Sequence, residues 1–261
     1  MDSMRTGNTL NLNDNSVMQF SLIIPARNEE HYLPRLLDSV DFARMNYHLG
    51  SDAVEVIVSD NCSTDRTAEI AESRGCTVVK EDKRIIAAVR NTGAAVATGE
   101  ILCFVDADSQ IHPNTFNAVK QAISRGKVVG GATGVTLDRI TLGIAMTYYL
   151  VMLPMILVTG MDTGVVFCRR KDFIQLGGYN EQKLFAEDVD FIVRLKLLGR
   201  RRKQKLIRLT SARAIASMRK FEQHGNWHYF PLMARGIYAM FRPSKRFEKF
   251  SRRYWYDDRE T

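Results

Sequence analysis

The sequence predicts an α/β fold built on a mainly parallel sheet with helices on both faces. Three observations predict it. Short apolar runs without strict alternation recur along the first half, as expected of strands buried on both sides. Segments with apolar residues three and four apart separate those runs, as expected of crossover helices. The chain has 261 residues and 45% hydrophobic content, enough for one core or for two intimate halves.

The elements follow in order. Residues 1–18 (MDSMRTGNTLNLNDNSVM) are polar and Asn-rich, without the apolar run of a signal or transit peptide, and are expected to form a loose tail. FSLIIPA (20–26) reads as the first strand, ended by Pro25. Apolar residues at 32, 33, 36, 37 and 40 give the next segment helical spacing. VEVIVSD (54–60) is a second strand. Thr64 or Asp65 can cap a helix that runs to Arg74 and stops at Gly75. TVVK (77–80) is a third strand, 84–97 a helix ending at Gly99, and ILCFVD (101–106) a fourth strand. A helix over 113–125 has Pro113 near its first turn. KVVGGATGV (127–135) and MDTGVVFCRR (161–170) read as further strands, FAEDVDFIVRLKLLG (185–199) as an amphipathic helix, and KLIRL (205–209) as a last strand. Residues 221–240 are expected to be partly helical, interrupted near Gly225 and Pro231.

In a parallel sheet, ligands sit beyond the carboxyl ends of the strands. Those ends here are Pro25-Ala26-Arg27-Asn28-Glu29, Asp60-Asn61 and Asp106-Ala107-Asp108, so three of them carry carboxylates. Two carboxylates one residue apart repel each other unless a positive charge joins them. Mg²⁺ or Mn²⁺ suits such a pair, because both ions take oxygen ligands and often share a substrate's phosphates with the protein. A cation between Asp106 and Asp108 on one side and a diphosphate on the other would relieve the repulsion and neutralise charge on a departing phosphate.

Four segments then resemble, in order and spacing, the family 2 glycosyltransferases of the GT-A fold. SLIIPARNEE resembles the family's opening strand and nucleotide loop, and VSDNCSTDRT its "VDDGSTD" segment. RNTGAAVATGEILCFVDAD resembles "RNxGxxxAxGexixfxDaD", and GGYNEQKLFAEDVDFIVRLKLLGRR the acceptor-side "GGFdexlfxgEDxdlxxRlxxxG". The resemblance covers roughly residues 19–202. It implies a Rossmann-like GT-A sheet with an acceptor-side C-terminal subdomain, a nucleotide-sugar donor, a divalent cation and inversion at the anomeric carbon. It also implies a division into a nucleotide-sugar-binding half (19–126), an acceptor-side half (127–210) and a basic extension (211–261).

The resemblance assigns Pro25, Ala26, Arg27 and Glu29 to the nucleoside loop and Asp60 to the base, with a UDP-sugar favoured. It assigns Arg90 to the base or diphosphate, with Lys83 and Arg84 nearby, Asp106 to ribose or metal, and Asp108 to the metal. Asn61 stands at the family's second acid and Cys62 at its glycine. A cysteine there argues for a turn without positive φ.

An inverting transfer needs a carboxylate to take the proton of the acceptor hydroxyl. Glu187, Asp188 and Asp190 crowd together in AEDVD. On a helix, Asp188 shares a face with Phe191, Ile192 and Leu195, which turns it towards packed surface or cleft. Asp190 shares a face with Arg194, which fits a surface ion pair. The family pattern also puts the base at the second letter of "ED". Asp188 is therefore the expected base, with Glu187 orienting the acceptor or its neighbours.

Residues 200–261 hold 17 Lys/Arg against 5 Asp/Glu, about +12 of formal charge, which leaves about −4 on the remainder. That asymmetry fits an anionic surface or partner, or a solvated basic face. Arg200, Arg201, Arg202 and Lys203 are candidates for a diphosphate or for lipid head groups. Ile140–Met161 carries no charge over 22 positions, long enough to span a bilayer. A single crossing there would put Asp108 and Asp188 on opposite sides, so a transmembrane reading is rejected. A buried or oligomer-forming wall and an interfacial dip both stay open. The tail SKRFEKFSRRYWYDD mixes cations with aromatics, as anionic lipid surfaces favour. His224 and His228 could pair on a helix face or complete a metal shell, and Trp227 and Tyr229 could stack on a sugar.

Cys62, Cys76, Cys103 and Cys168 form no CxxC pair and are expected to be buried, reduced thiols. The expected location is cytoplasmic, with peripheral association at the inner face of the cell membrane left open, and the expected acceptor is a glycan or glycolipid of the cell envelope. No nucleic-acid motif is present, and a homo-oligomer stays open. The rivals are a retaining GT-A transferase, a nucleotidyltransferase, for which no triphosphate loop is seen, and a non-catalytic sugar-nucleotide-binding scaffold at a membrane.

Overall fold

The computed structural model describes residues 18–137, 164–183 and 186–217, with single positions at 146, 150 and 160. Four strands open the chain: β1 (Phe20–Ala26), β2 (Val54–Asp60), β3 (Thr77–Lys80) and β4 (Ile101–Phe104). Between them lie α1 (Leu33–Met45), α2 (Thr67–Ser73) and α3 (Ile86–Val96). Then come α4 (Thr115–Ser124), β5 (Val128–Leu137), β6 (Val166–Arg169), α5 (Arg170–Gln175), α6 (Glu187–Arg201) and β7 (Lys205–Ala216).

The seven strands form one sheet in the order β3-β2-β1-β4-β6-β5-β7. Strands β1 to β4 pair in parallel. β6 runs antiparallel to both β4 and β5, and β7 is parallel to β5. The order reverses between β1 and β4, which opens the crevice where α/β sheets bind ligands. Side-chain alternation splits the core in two. Phe20, Leu22, Ile24 and Val58 face α1 and α4, whereas Ile23, Ile57, Leu102 and Phe104 face α3, α5 and α6. Helices therefore cover both faces, as the sequence predicts.

Several bounds differ from expectation. α1 starts at Leu33 with Pro34 in its first turn, because Glu29–Tyr32 is spent on a turn in which Leu33 N donates to Glu29 O at 2.8 Å. β4 ends at Phe104, opposite Val166, the first residue of antiparallel β6, while β1 runs on to Ala26 beside β2. Asp106–Asp108 thus form a turn outside the sheet, closed by Ser109 N donating to Asp106 O at 3.1 Å. α5 is a short helix absent from the sequence reading. β7 runs on to Ala216, past the expected boundary at 210, because β5 continues beside it through two register shifts.

Cys103 and Cys168 are buried in β4 and β6, and burial pushes both thiols up. Cys62, by contrast, is exposed and Cys76 half-buried. No disulfide joins the four, which are free thiols as expected. Most of the apolar run 140–161, the stretch with His224, Trp227, His228 and Tyr229, and the basic tail lie outside the described residues. Among the described residues no helix is long and apolar enough to cross a membrane.

Candidate active site

The carboxyl ends of β1 and β2 are locked together. Asn61 N donates to Ala26 O at 2.9 Å, and the buried Arg27 donates from Nη1 to Asn61 O at 3.2 Å. Asp60 is 3% exposed and accepts from Ser63 N at 3.3 Å. Asn28 N donates to Ser63 Oγ, and Asn28 Oδ1 accepts from Thr64 N at 2.8 Å. Glu29 is also buried, and its amide donates to Thr67 Oγ1 at 2.7 Å. Asp65 accepts from the amides of Glu30 and Thr67, which anchors the start of α2 and holds its own carboxyl below the usual range despite burial. These bonds make the loop after β1 and the loop after β2 one rigid ledge beside the crevice.

The turn at Cys62 differs from expectation. Its φ is +54°, in the left-handed region that the missing glycine was read to forbid. The neighbours impose it. Asn61 Nδ2 donates to Glu81 O at 2.5 Å and Lys83 O at 2.9 Å, while Ser63 N turns back to Asp60. Asn61 thereby spends its amide on the 81–83 loop.

At the centre stands Arg90 on α3. Its Nη2 donates to Asp106 Oδ1 at 2.9 Å and its Nη1 to Glu187 Oε1 at 2.7 Å. The guanidinium carbon lies 5.3 Å from the centre of the Tyr179 ring, a cation–π distance. The side chains of Arg90 and Glu187 are 11% and 12% exposed, that of Asp106 60%. Burial works against the Arg90 charge, but the neighbouring Asp106 and Glu187 outweigh it and push the guanidinium further up. Burial also lifts the Glu187 carboxyl above the usual range, with Asp188 adding to the lift and Arg90 opposing it.

Glu187 and Asp188 occupy the first turn of α6, after Ala186 in left-handed conformation at φ +56°. Asp188 is half-buried, and its Oδ1 accepts from Val189 N at 2.8 Å. Asp190 forms the surface pair expected of it, with Arg194 at 2.7 Å, and a second with Lys183 at 2.8 Å. Asp108 is half-buried and lines a small cavity with Tyr32, Arg35, Gln110 and the end of β7. Reciprocal 2.9 Å backbone bonds between Gln110 and Ile215 hold that strand end against the Asp106–Asp108 turn.

Asp106 and Asp108 offer oxygen donors alone, which fits a hard cation. Among the described residues no three His, Cys, Asp or Glu side chains converge into a full ligand set. Such an ion would need its remaining ligands from a diphosphate and water, as Mg²⁺ commonly does.

The structure thus gathers Arg90, Asp106, Glu187 and Asp188 at one point, with Pro25–Glu29 and Asp60 on the adjoining ledge. It separates Arg200–Lys203, at the far end of α6. That helix has 15 residues, so they lie roughly 20 Å from Glu187 and cannot share a diphosphate with Asp106. Arg202 instead pairs with the buried Asp172 at 2.6 Å. The sequence reading missed Tyr179, Asn91 and Glu181. Asn91 Oδ1 accepts from Tyr179 N at 2.8 Å, and Glu181 accepts from Asn91 and from Lys83 at 2.9 Å. Their signal lay in the RN and GGYNE segments, but no rule of spacing pairs them.

Comparison with known proteins adds the following. Glycosyl transferase family 2 matches residues 21–147. A 4,4'-diaponeurosporenoate glycosyltransferase of Staphylococcus haemolyticus is 35% identical over 137 residues, 49% of this chain and 33% of that protein. The chain therefore spans about a third of that curated relative. Staphylococcus aureus TarS 1–349, solved with UDP-GlcNAc, superposes with TM-score 0.59 at 21% identity over 76% of this chain and 58% of that one. A Pyrobaculum calidifontis mannosyltransferase, solved with GDP-Man and Mn²⁺, gives TM-score 0.60 at 22% identity over 78% and 59%.

Proposed function

Because this chain belongs to glycosyl transferase family 2, we infer that it is a metal-dependent, inverting glycosyltransferase that takes a nucleoside diphosphate sugar, with a UDP-sugar favoured. One observation carries the reading. A single guanidinium, Arg90, joins a strand-end carboxylate, Asp106, to the first carboxylate of α6, Glu187, and Asp188 follows Glu187 in that first turn. The solved relatives that bind UDP-GlcNAc, or GDP-Man with Mn²⁺, support the donor class and the cation.

The ledge of Pro25, Ala26, Arg27, Glu29 and Asp60 receives the nucleoside, with Asp60 on the base. Asp106 and Asp108 would hold Mg²⁺ or Mn²⁺, and the bound ion would supply neutralisation of charge on the leaving diphosphate. Asp188 takes the proton of the acceptor hydroxyl as its oxygen attacks the anomeric carbon from the face opposite the diphosphate. The new glycosidic bond forms as the bond from sugar to phosphate breaks, and the nucleoside diphosphate leaves. Glu187 is fixed by Arg90 and orients the first turn of α6. The acceptor is a glycan or glycolipid of the cell envelope. The protein acts in the cytoplasm and associates peripherally with the inner membrane face.

Thermal melting tests this directly. UDP or GDP with Mn²⁺ raises the Tm of the wild type, and Asp108→Ala loses the Mn²⁺-dependent part. A wild type that no nucleotide stabilises overturns the reading.

A further inference from the structure

We propose that Arg90 is a positioning residue that makes the donor site and α6 energetically interdependent, so that a change at Glu187 alters the binding of cation and nucleotide at Asp106. This inference rests on the transferase reading above.

The geometry sets up the coupling. Arg90 gives one terminal nitrogen to each carboxylate, Nη2 to Asp106 and Nη1 to Glu187. A planar guanidinium cannot turn one nitrogen without turning the other. The Tyr179 ring lies against it, and α3 carries it from the core side. Among the described residues its buried Nε has no hydrogen-bond partner, and its two terminal nitrogens serve these two carboxylates. Only Asp106 opens to solvent. The buried half of the bridge is therefore fixed, and the open end is where a ligand arrives.

The charges give the direction. One guanidinium serves Asp106 and Glu187, with Asp188 adding a third negative charge nearby. Arginine keeps its proton, so it can only redistribute its attraction. A divalent cation that takes Asp106 weakens that carboxylate's hold on Nη2 and leaves Arg90 more fully to Glu187. By reciprocity, an uncharged residue at position 187 leaves Arg90 more fully to Asp106, which then attracts a cation less.

The test is a double-mutant cycle read by calorimetry of Mn²⁺ with UDP and with GDP, without any acceptor or turnover. Glu187→Gln is nearly isosteric, and its folding is checked by thermal melting. It is expected to weaken nucleotide binding in the presence of Mn²⁺ by about threefold to tenfold, the lower part of the range of coupling between interacting residues and sites. In an Arg90→Gln background the same change is expected to do almost nothing. Arg90→Lys restores a charge but not the fork, and is expected to recover only a small part of the coupling. Two outcomes overturn the proposal. One is unchanged affinity on Glu187→Gln. The other is an equal loss with and without Arg90, which would mean a through-space field. A wild type that binds neither nucleotide overturns the transferase reading as well, which distinguishes the two failures.

Discussion

Asp188 and Asp190 stand two residues apart in α6 and have different surroundings, and that difference separates the roles proposed for them. Asp190 is tied to Arg194 and Lys183. Those cations hold its carboxyl below the usual range against the effect of partial burial, so it is a poor proton acceptor. Asp188 sits beside Glu187 and close enough to Arg90 to act on its charge. Asp188→Asn is therefore expected to lower kcat by roughly 10²–10⁴-fold, the usual worth of a positioned base, with nucleotide affinity unchanged by calorimetry. Asp190→Asn is expected to keep most activity. A fully active Asp188→Asn would remove it as the base. The Asp190–Arg194 pair was legible in the sequence, because helical spacing puts residues four apart on one face. Cys62 shows where such reading stops. Its left-handed φ goes with a local bond, Ser63 N to Asp60, and with the bonds that Asn61 makes to the distant 81–83 loop, and only the first of these is encoded nearby in the sequence. Tyr179 and Glu181 were missed for the same reason, since their partners on α3 and the 81–83 loop lie far along the chain.

At the scale of the element, α3 is the piece that places Arg90, and Gly93 sets how close α3 lies to the sheet. A Cβ there would collide with Ser59 Oγ and with Ile23 Cγ2 at 2.6 Å. Arg90 is three residues earlier, on nearly the same side of the helix. Gly93→Ala should push α3 outward and carry Arg90 away from Asp106 and Glu187. The expected cost is about 1–3 kcal/mol of stability, as for overpacked cores, with a lower Tm and weaker binding of nucleotide with Mn²⁺. Val96→Ala, at an exposed position of α3, is the control and should leave binding unchanged. Equal nucleotide affinity in Gly93→Ala and wild type would show that the α3 approach does not position the site. The sequence predicted α3 from its period, and the strand before it and the strand after it from their apolar runs. It did not predict where β4 stops or β7 ends, because both bounds depend on partner strands that only the sheet brings together.

At the scale of the molecule, the sheet separates two chemistries by its length. The acidic strand ends and the first turn of α6 gather at one end. The turn before β5 and the turn before β7 meet at the other, where Gln204 Nε2 donates to Gly126 O at 2.8 Å and Lys205 N to Lys127 O at 2.8 Å. Arg125, Lys127, Arg200, Arg201, Lys203 and Lys205 are all exposed there. Among the described residues none of the six forms an ion pair, whereas Arg202 between them is taken by Asp172. Leu197 and Val193 are exposed earlier on the same helix. Unneutralised cations next to exposed apolar side chains suit an anionic lipid surface. The distance along α6 makes this surface separable from the nucleotide site. The chain is expected to co-sediment with vesicles containing anionic phospholipid at low salt, and less so as salt screens the charge. Replacing the six cations with Gln should weaken that binding and leave affinity for nucleotide with Mn²⁺ intact. Unchanged vesicle binding in that variant would exclude this end of the sheet as the lipid contact. Loss of nucleotide affinity as well would show that the two ends are not independent, since a 15-residue helix joins them.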